Sequence, residues 1–386
     1  MMVDLSAAFD MVDHNILLGK LQLYGLDDKA ISWMRSYLSD RTQQVLVDGC
    51  LSPTLRLTCG VPQGSILGPL LYIIFTNDIP NLVHDHDISI QEPTSNCTTC
   101  GSTVCYVDDS TYSKGDIDPV NLSQSLTQQY DKIAMYMASN KLVINGDKTH
   151  LLVMGTKKST ARRNEVTVKA DGHIIHPSKS EMLLGGVISE DLKWKNHLLG
   201  HEQSLIKQLT SRLNGLVKVS RRASVETKLM VANGIFMSKL YYLIPLWGNC
   251  EKSLVNSLQV LQNKAARAIT GKSWFTPVRR LLKDCKWLSV NQIIFYQTVL
   301  QTHKVLVSGK PVHLKQRMNT IHPYRTRQAA GGGIWRGGGE EMSEKSFITR
   351  GSRAYNSIPS FIRQSTSIQT FKNKLRSWIF SNIPIT

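Results

Sequence analysis

Tyr106-Val107-Asp108-Asp109 is the stretch on which the fold turns. Thr103 to Val107 and Ser110 to Tyr112 read as two short strands, so the two aspartates fall at the tight turn between them. Adjacent carboxylates held this way repel each other, and divalent cations make the pair tolerable. Mg²⁺ takes oxygen ligands and usually only one or two protein carboxylates, leaving positions for phosphate and water. A third carboxylate on a neighbouring strand would complete a two-metal clamp of the kind that serves phosphoryl transfer. Asp4 is the candidate. It lies in the short apolar run Met1 to Leu5, which suits a buried strand, and it opens Asp4-Leu5-Ser6-Ala7-Ala8-Phe9-Asp10. Alone, an Asp-Asp pair is weak evidence, because aspartate is common in exposed turns.

The flanking segments mix strands and helices. Asp13 is placed to cap a helix carrying Ile16, Leu17 and Leu21 that stops near Gly25, and Asp27 and Asp28 start another with Ile31, Met34 and Leu38 on one face. Gln43 to Val47 and Thr54 to Thr58 alternate like strands around a glycine-containing turn. Gly60 to Pro69 is a Gly/Pro-punctuated loop. Asp118-Pro119 opens a helix with Leu122, Leu126, Tyr130, Ile133 and Met137 in register. Leu142 to Ile144 and Leu151 to Met154 read as paired strands around Gly146. The first half is therefore α+β. The second half is mostly helical. Its stripes are Leu205, Leu209, Leu213 and Leu216; then Leu229 to Leu243 behind a Ser224 cap; then Leu254 to Ile269, ending at Gly271. Gly331 to Gly339 reads as a linker, and Phe371, Leu375 and Trp378 as a terminal helix.

The net charge of +17 is unevenly spread. Up to Lys193 there are 16 Lys+Arg against 22 Asp+Glu; from Trp194 onward there are 30 against 7. An acidic, metal-seeking part joined to a part that meets a polyanion fits this asymmetry, and a merely solvated basic surface is its rival. The longest apolar run, Ile66 to Phe75, is too short to span a bilayer and contains Pro69, so no membrane association is expected. No signal peptide is evident and seven cysteines form no disulfide framework. An intracellular setting is expected, nuclear or in a cytoplasmic ribonucleoprotein.

Five motifs in order give the chain a resemblance to the reverse transcriptases of non-LTR (LINE-type) retrotransposons, of the jockey-like kind. Asp4 to Asp10 looks like motif A, and Gly60-Val61-Pro62-Gln63-Gly64-Ser65-Ile66-Leu67-Gly68-Pro69 like motif B. Tyr106 to Asp109 looks like motif C, Asn140-Lys141-Leu142 through Asn145-Gly146-Asp147-Lys148-Thr149 like motif D, and Leu184-Gly185-Gly186-Val187 is similar to motif E. The resemblance implies a right-hand polymerase: a palm over 1–194, a helical thumb over 195–250, a helical basic region over 251–330, the linker at 331–339 and a tail over 340–386. It implies RNA-directed DNA synthesis on an RNA template and DNA primer, with dNTPs and two Mg²⁺ ions, or Mn²⁺. Asp4, Asp108 and Asp109 would hold the metals, with Asp109 weighted towards structure and the Leu5 carbonyl as a further oxygen. Phe9 stands where the family has a ring that crowds a ribose 2′-OH; a core aromatic is the competing reading. Gln63 and Gly64 would touch the incoming nucleotide and template. Lys148 would serve the pyrophosphate leaving group, with an exposed turn lysine as its rival. Lys207, Lys218, Arg221 and Arg222 would meet phosphates of the duplex without reading sequence.

The pattern also has departures. Motif A begins almost at residue 1, so the fingers of such an enzyme are expected to be absent from the chain, which leaves a non-catalytic nucleic-acid-binding remnant as the second hypothesis. An RNA-templated RNA polymerase shares the palm, but Phe9 argues against it. Val107 stands where this group usually has alanine. The segment from His84 to Cys105 holds His84, His86, Cys97 and Cys100, a possible tetrahedral zinc set. A single Cys-x-x-Cys and the neighbouring Asp85 and Asp87 weigh against zinc there.

Overall fold

A computed structural model describes residues 1–82, 101–155, 160–220, 223–318, 333–334 and 346–384. The chain divides into two compact units, 1–181 with 189–192, and 182–188 with 193–386.

The first unit is built around strand β1, Met2–Ser6, whose Val3 and Leu5 point into the core while Met2, Asp4 and Ser6 stay half-buried. This is the two-residue alternation of a strand with one covered face. β1 lies at the centre of a five-stranded sheet. On one side it pairs antiparallel with β3 (Asp109–Ser113), which forms a hairpin with β2 (Ser102–Tyr106). On the other side it pairs antiparallel with β4 (Val143–Leu152), to which β5 (Pro177–Ser178) adds in parallel. The order is β5-β4-β1-β3-β2, a mixed sheet.

Four helices bury side chains in this core. α1 (His14–Leu23) is capped by Asp13 and α2 (Asp28–Leu38) by Asp27. α3 (Leu67–Thr76) buries Leu71, Tyr72 and Phe75, and α4 (Pro119–Ser139) buries Leu126, Tyr130, Ile133 and Met137. Lys20 ties three of them together. Its ammonium donates to the Phe75 carbonyl at 2.6 Å, to Asp78 at 2.8 Å and to the Tyr136 hydroxyl at 2.9 Å. A charge this deeply placed is tolerated because each of its protons has an acceptor.

Two local expectations are corrected. Leu142 to Met154 is not a pair of strands around Gly146. It is one long strand with a bulge: Asp4 faces Asn145, yet Met2 faces His150. Three extra residues are looped out of β4, and Thr149 closes the loop by donating to the Asn145 carbonyl at 2.9 Å. Such a bulge re-aims side chains without ending the strand. The stripe from Leu229 to Leu243 is not one α-helix either. It runs as α over Val225–Ala232, widens to a π turn over Asn233–Met237, and ends at Tyr241. Leu243 lies beyond it with φ +55°.

The second unit is helical with a single core running from Leu198 to Ile379. α5 (Leu205–Ser220) and α6 (Val225–Ala232) are followed by α7 (Lys252–Thr270), closed by Gly271 in the left-handed conformation. α8 (Val278–Asp284) leads to α9 (Val290–Ser308), which opens with a Ser289/Gln292 capping box. α10 (Phe347–Ser357) and α11 (Ile368–Asn382) pack against α9. The expected linker at Gly331 to Gly339 lies almost wholly outside the described residues. No helix among the described residues is long and apolar enough to cross a membrane.

Candidate active site

The strand register assembles the three carboxylates. Val3 pairs with Ser110, so Asp4 comes level with Asp109 on the adjoining strand. Tyr106 pairs with Asp109, which leaves Val107 and Asp108 as the two turn residues between β2 and β3. Val107 has φ +58°, a conformation that is sterically costly for a β-branched residue and that cements the turn only because both flanking strands are paired. Asp4, Asp108 and Asp109 are all half-buried.

Their charges are felt. The Asp109 carboxyl is held above the usual carboxylate range by burial, then by the charges of Asp108 and Asp4. Among the described residues the cation that meets them is Lys148, whose Nζ lies 3.6 Å from an Asp4 oxygen. The bulge in β4 puts it there. Among the described residues no three His, Cys, Asp or Glu side chains already meet as a metal cage. The donor set nevertheless fits a hard divalent cation. It is all oxygen, carries unbalanced negative charge, and need supply only one or two carboxylates if waters and phosphates complete the shell. His84, His86, Cys97 and Cys100 lie outside the described residues.

The raised Asp109 proton affinity has a consequence for stability. A carboxyl that binds its proton more tightly when folded adds stability below its unfolded pKa, about 3.9, and that contribution is lost as pH rises through the folded value. Without divalent cations, Asp109→Asn should therefore raise the melting temperature at pH 7, and the advantage should shrink on acidification towards pH 4. A melting temperature lowered at pH 7 would show that the charge repulsion is not what the carboxylate contributes.

A second group of residues is clasped to the end of β1. The Gly60 amide donates to the Val12 carbonyl at 2.8 Å, and the Val61 amide to the Phe9 carbonyl at 2.9 Å. His14 Nε2 donates to the Gly60 carbonyl at 2.8 Å, and Gln63 Nε2 to Asp10 Oδ1 at 2.9 Å. Gln63 and Gly64 are both exposed, and Gly64 has φ +77° with open space where a Cβ would sit. Ser65 Oγ accepts from the Gly68 amide at 2.9 Å and so starts α3. A cleft of about 670 Å³ runs along this clasp and is lined by Asp10, His14, Arg41, Arg56 and Gln63, among others.

Phe9 is half-buried, its ring stacked on Tyr72 of α3 with centroids 4.6 Å apart. Tyr72 is fully buried and its phenol is pushed up by burial first and by the Asp108 charge second. Tyr72 and Asp10 went unassigned in the sequence reading. Asp10 closes the segment Asp4 to Asp10 and is visible there; Tyr72 sits in a uniformly apolar run, where nothing marks it out. Leu5 is buried, its backbone paired with Ile144 across the sheet. Lys141 donates to Asp13 at 2.6 Å, and this bond is the main reason the Asp13 carboxyl lies below its ordinary range.

In the second unit, Lys207 and Lys218 are exposed on α5 and lie eleven residues apart, three turns, hence on one face with exposed Ser211 and Asn214. The leucines of the same helix are buried opposite. Arg221 and Arg222 lie outside the described residues. Leu184 and Gly185 both have positive φ, as a two-residue hairpin turn requires. Tyr242 donates to the Leu184 carbonyl at 2.6 Å, and the Val187 amide to His197 Nδ1 at 3.3 Å.

The comparison with known proteins defines the class. The chain belongs to the family described as reverse transcriptase (RNA-dependent DNA polymerase), whose model matches residues 1–202. It is similar to the RNA-directed DNA polymerase from mobile element jockey of Drosophila melanogaster, 25% identical over 82% of this chain and 33% of that protein. The Drosophila funebris counterpart is 27% identical over 74% of this chain and 30% of its own length. The probable RNA-directed DNA polymerase from transposon X-element of Drosophila melanogaster is also 27% identical, over 75% and 30%. The chain thus spans about a third of the length of the curated relatives it matches. Among solved structures, apo telomerase from Candida tropicalis aligns with 13% identity and a TM-score of 0.37, over 82% of this chain and 51% of that one.

Proposed function

We propose that this chain carries the polymerising part of a non-LTR retrotransposon reverse transcriptase: it extends a primer 3′-OH with dNTPs against an RNA template. Residues 1–194 act as the palm and 195–250 as the thumb, with the basic region to 330 behind it. The observation that carries this reading is the strand register that sets Asp4 level with the Asp108-Asp109 turn. Bound divalent cations would supply charge neutralisation at the nucleophile and leaving group, and Asp4, Asp108 and Asp109 are the residues that would hold them.

The remaining work falls to the chain's own side chains. Lys148, on an exposed bulge, can leave Asp4 for the negative charge that grows on the departing pyrophosphate and can donate a proton there. Gln63, fixed by Asp10, presents the loop of residues 60–65 to the incoming nucleotide. The polar face of α5 with Lys207 and Lys218 meets duplex phosphates, which positions the primer without reading its sequence.

Phe9 sets sugar selectivity. Its ring is held by Tyr72 and crowds a 2′-hydroxyl, so dNTP is accepted over NTP. Primer extension on an RNA template, run with each nucleotide set separately, tests the function and this residue together. The wild-type chain should incorporate dNTP in a divalent-cation-dependent manner. Phe9→Ala should raise relative NTP use by about a hundredfold, the scale on which a pocket rejects an added hydroxyl. An unchanged ratio would return Phe9 to the role of a core aromatic, and no incorporation of either set would sink the polymerase reading.

A further inference from the structure

A cleft of about 1170 Å³ in the second unit lies between α8 and the last turns of α11. Small-molecule sites typically occupy roughly 300–1,000 Å³, so this one has room for a polymer segment. Arg279, Arg280, Lys283, Lys286 and Arg376 line it, and all five are exposed. One carboxylate, Asp284, also lines it, and that group is already paired with Lys272. Among the described residues none of the five cations is paired with a carboxylate. The cleft also holds an aromatic. Phe380 is 40% exposed and the Arg376 guanidinium sits 5.9 Å from its ring centre. Arg376 is itself held, donating to the Lys286 carbonyl at 2.5 Å. Just before the cleft, Phe275 is 92% exposed.

Cations along a groove with an accessible ring among them are the arrangement that tracks a phosphate backbone and stacks an unpaired base. A duplex would satisfy the charges but not the ring, since its bases are already stacked on one another. We propose that this cleft is a binding site for single-stranded nucleic acid, with the phosphates on Arg279, Arg280, Lys283, Lys286 and Arg376 and a base on Phe380. It is separate from the Lys207/Lys218 face of α5. It rests on the polymerase reading only in that the chain handles nucleic acid.

The test is fluorescence anisotropy with a labelled twelve-nucleotide single-stranded RNA, the same sequence as single-stranded DNA, and a duplex of the same length, across a salt series. The full chain is compared with an Arg279→Ala/Arg280→Ala/Lys283→Ala variant and with Phe380→Ala. The triple variant should bind single strands at least tenfold more weakly. Its log-log salt slope should be shallower by about 2, from roughly 0.7 per lost phosphate contact on single strands. Phe380→Ala should weaken single-strand binding about tenfold with the slope unchanged, because a stacking contact releases no counterions. Duplex affinity should hardly move in either. Stronger weakening for RNA than for DNA would identify the occupant as RNA; equal weakening would identify any single strand. Unchanged single-strand affinity and slope in both variants, or equal loss for duplex and single strand, would overturn the cleft while leaving the polymerase reading standing. A wild-type chain that bound none of the three would overturn both. All the substituted side chains are exposed, and an unchanged melting temperature checks that the fold is kept.

Discussion

Asp108→Asn is expected to abolish nucleotide incorporation, by roughly a thousandfold or more, while primer–template binding stays within a few-fold of wild type. A metal clamp supplies several kcal/mol of transition-state stabilisation, and each 1.4 kcal/mol or so is tenfold in rate. Asparagine keeps the shape of the turn but removes one negative charge from a group of three. Asp108 sits in the hairpin turn, half-buried, with no ladder pairing of its own to lose. The substitution should therefore spare the fold, and removing a like charge beside Asp109 relieves repulsion there. Primer extension and duplex affinity, measured on the same preparation, separate the two effects. Parallel loss of binding and synthesis would mean that the residue is structural.

Gly60→Ala should have the second largest effect, on stability and activity together. Gly60 has φ +88°, and a Cβ there would lie 2.9 Å from the Asp10 carbonyl oxygen and 3.0 Å from its Cα. Both obstacles are backbone, so no side chain can swing aside. The strained dihedral and the clash together should cost about 2–4 kcal/mol. The damage is aimed at the site, because the loop of residues 60–63 is fastened to residues 9–14 by the hydrogen bonds of Gly60, Val61, His14 and Gln63. Chemical denaturation gives the stability loss. Residual incorporation at a temperature where the variant is still folded shows whether the loop also positions Gln63. A variant as stable as wild type would mean that residues 9–14 and 60–63 are not clasped as described.

The grouping of Asp4, Asp108 and Asp109 was legible because its reading needs only local facts, a hairpin with adjacent aspartates and an apolar strand with a third, although the turn falls one residue earlier than read, at Val107 and Asp108, with Asp109 already in its strand. The caps at Asp13, Asp27, Asp118 and Ser224 were legible for the same reason, since a cap is a contact between near neighbours in sequence. The bulge in β4 was not. Gly146 reads as a turn, and only pairing with β1, more than a hundred residues away, keeps the strand continuous across it. α9 escaped as well. It is buried on most sides, and Gln292, Thr298, Thr302 and His303 interrupt its apolar pattern. Two of them have tertiary partners: Gln292 donates to the Ile383 carbonyl at 2.7 Å and His303 meets the Tyr355 hydroxyl at 3.2 Å, whereas Thr302 donates within the helix to the Thr298 carbonyl at 2.9 Å. A one-sided stripe is the signature of a surface helix, and α9 is not one. The stacking of Phe9 on Tyr72 likewise depends on where α3 packs, which no spacing in the sequence reveals.

The central claim is that Asp4, Asp108 and Asp109 hold the divalent cations of a polymerase, and Mn²⁺ occupancy tests it most directly. Bound Mn²⁺ would be counted by electron paramagnetic resonance on the chain with primer–template and a non-hydrolysable dNTP, in the wild type and in Asp4→Asn and Asp108→Asn. The account predicts saturable binding in the wild type and its loss in both variants, with the nucleic acid still bound. Equal occupancy in all three would contradict it and place the metal, and the chemistry, elsewhere.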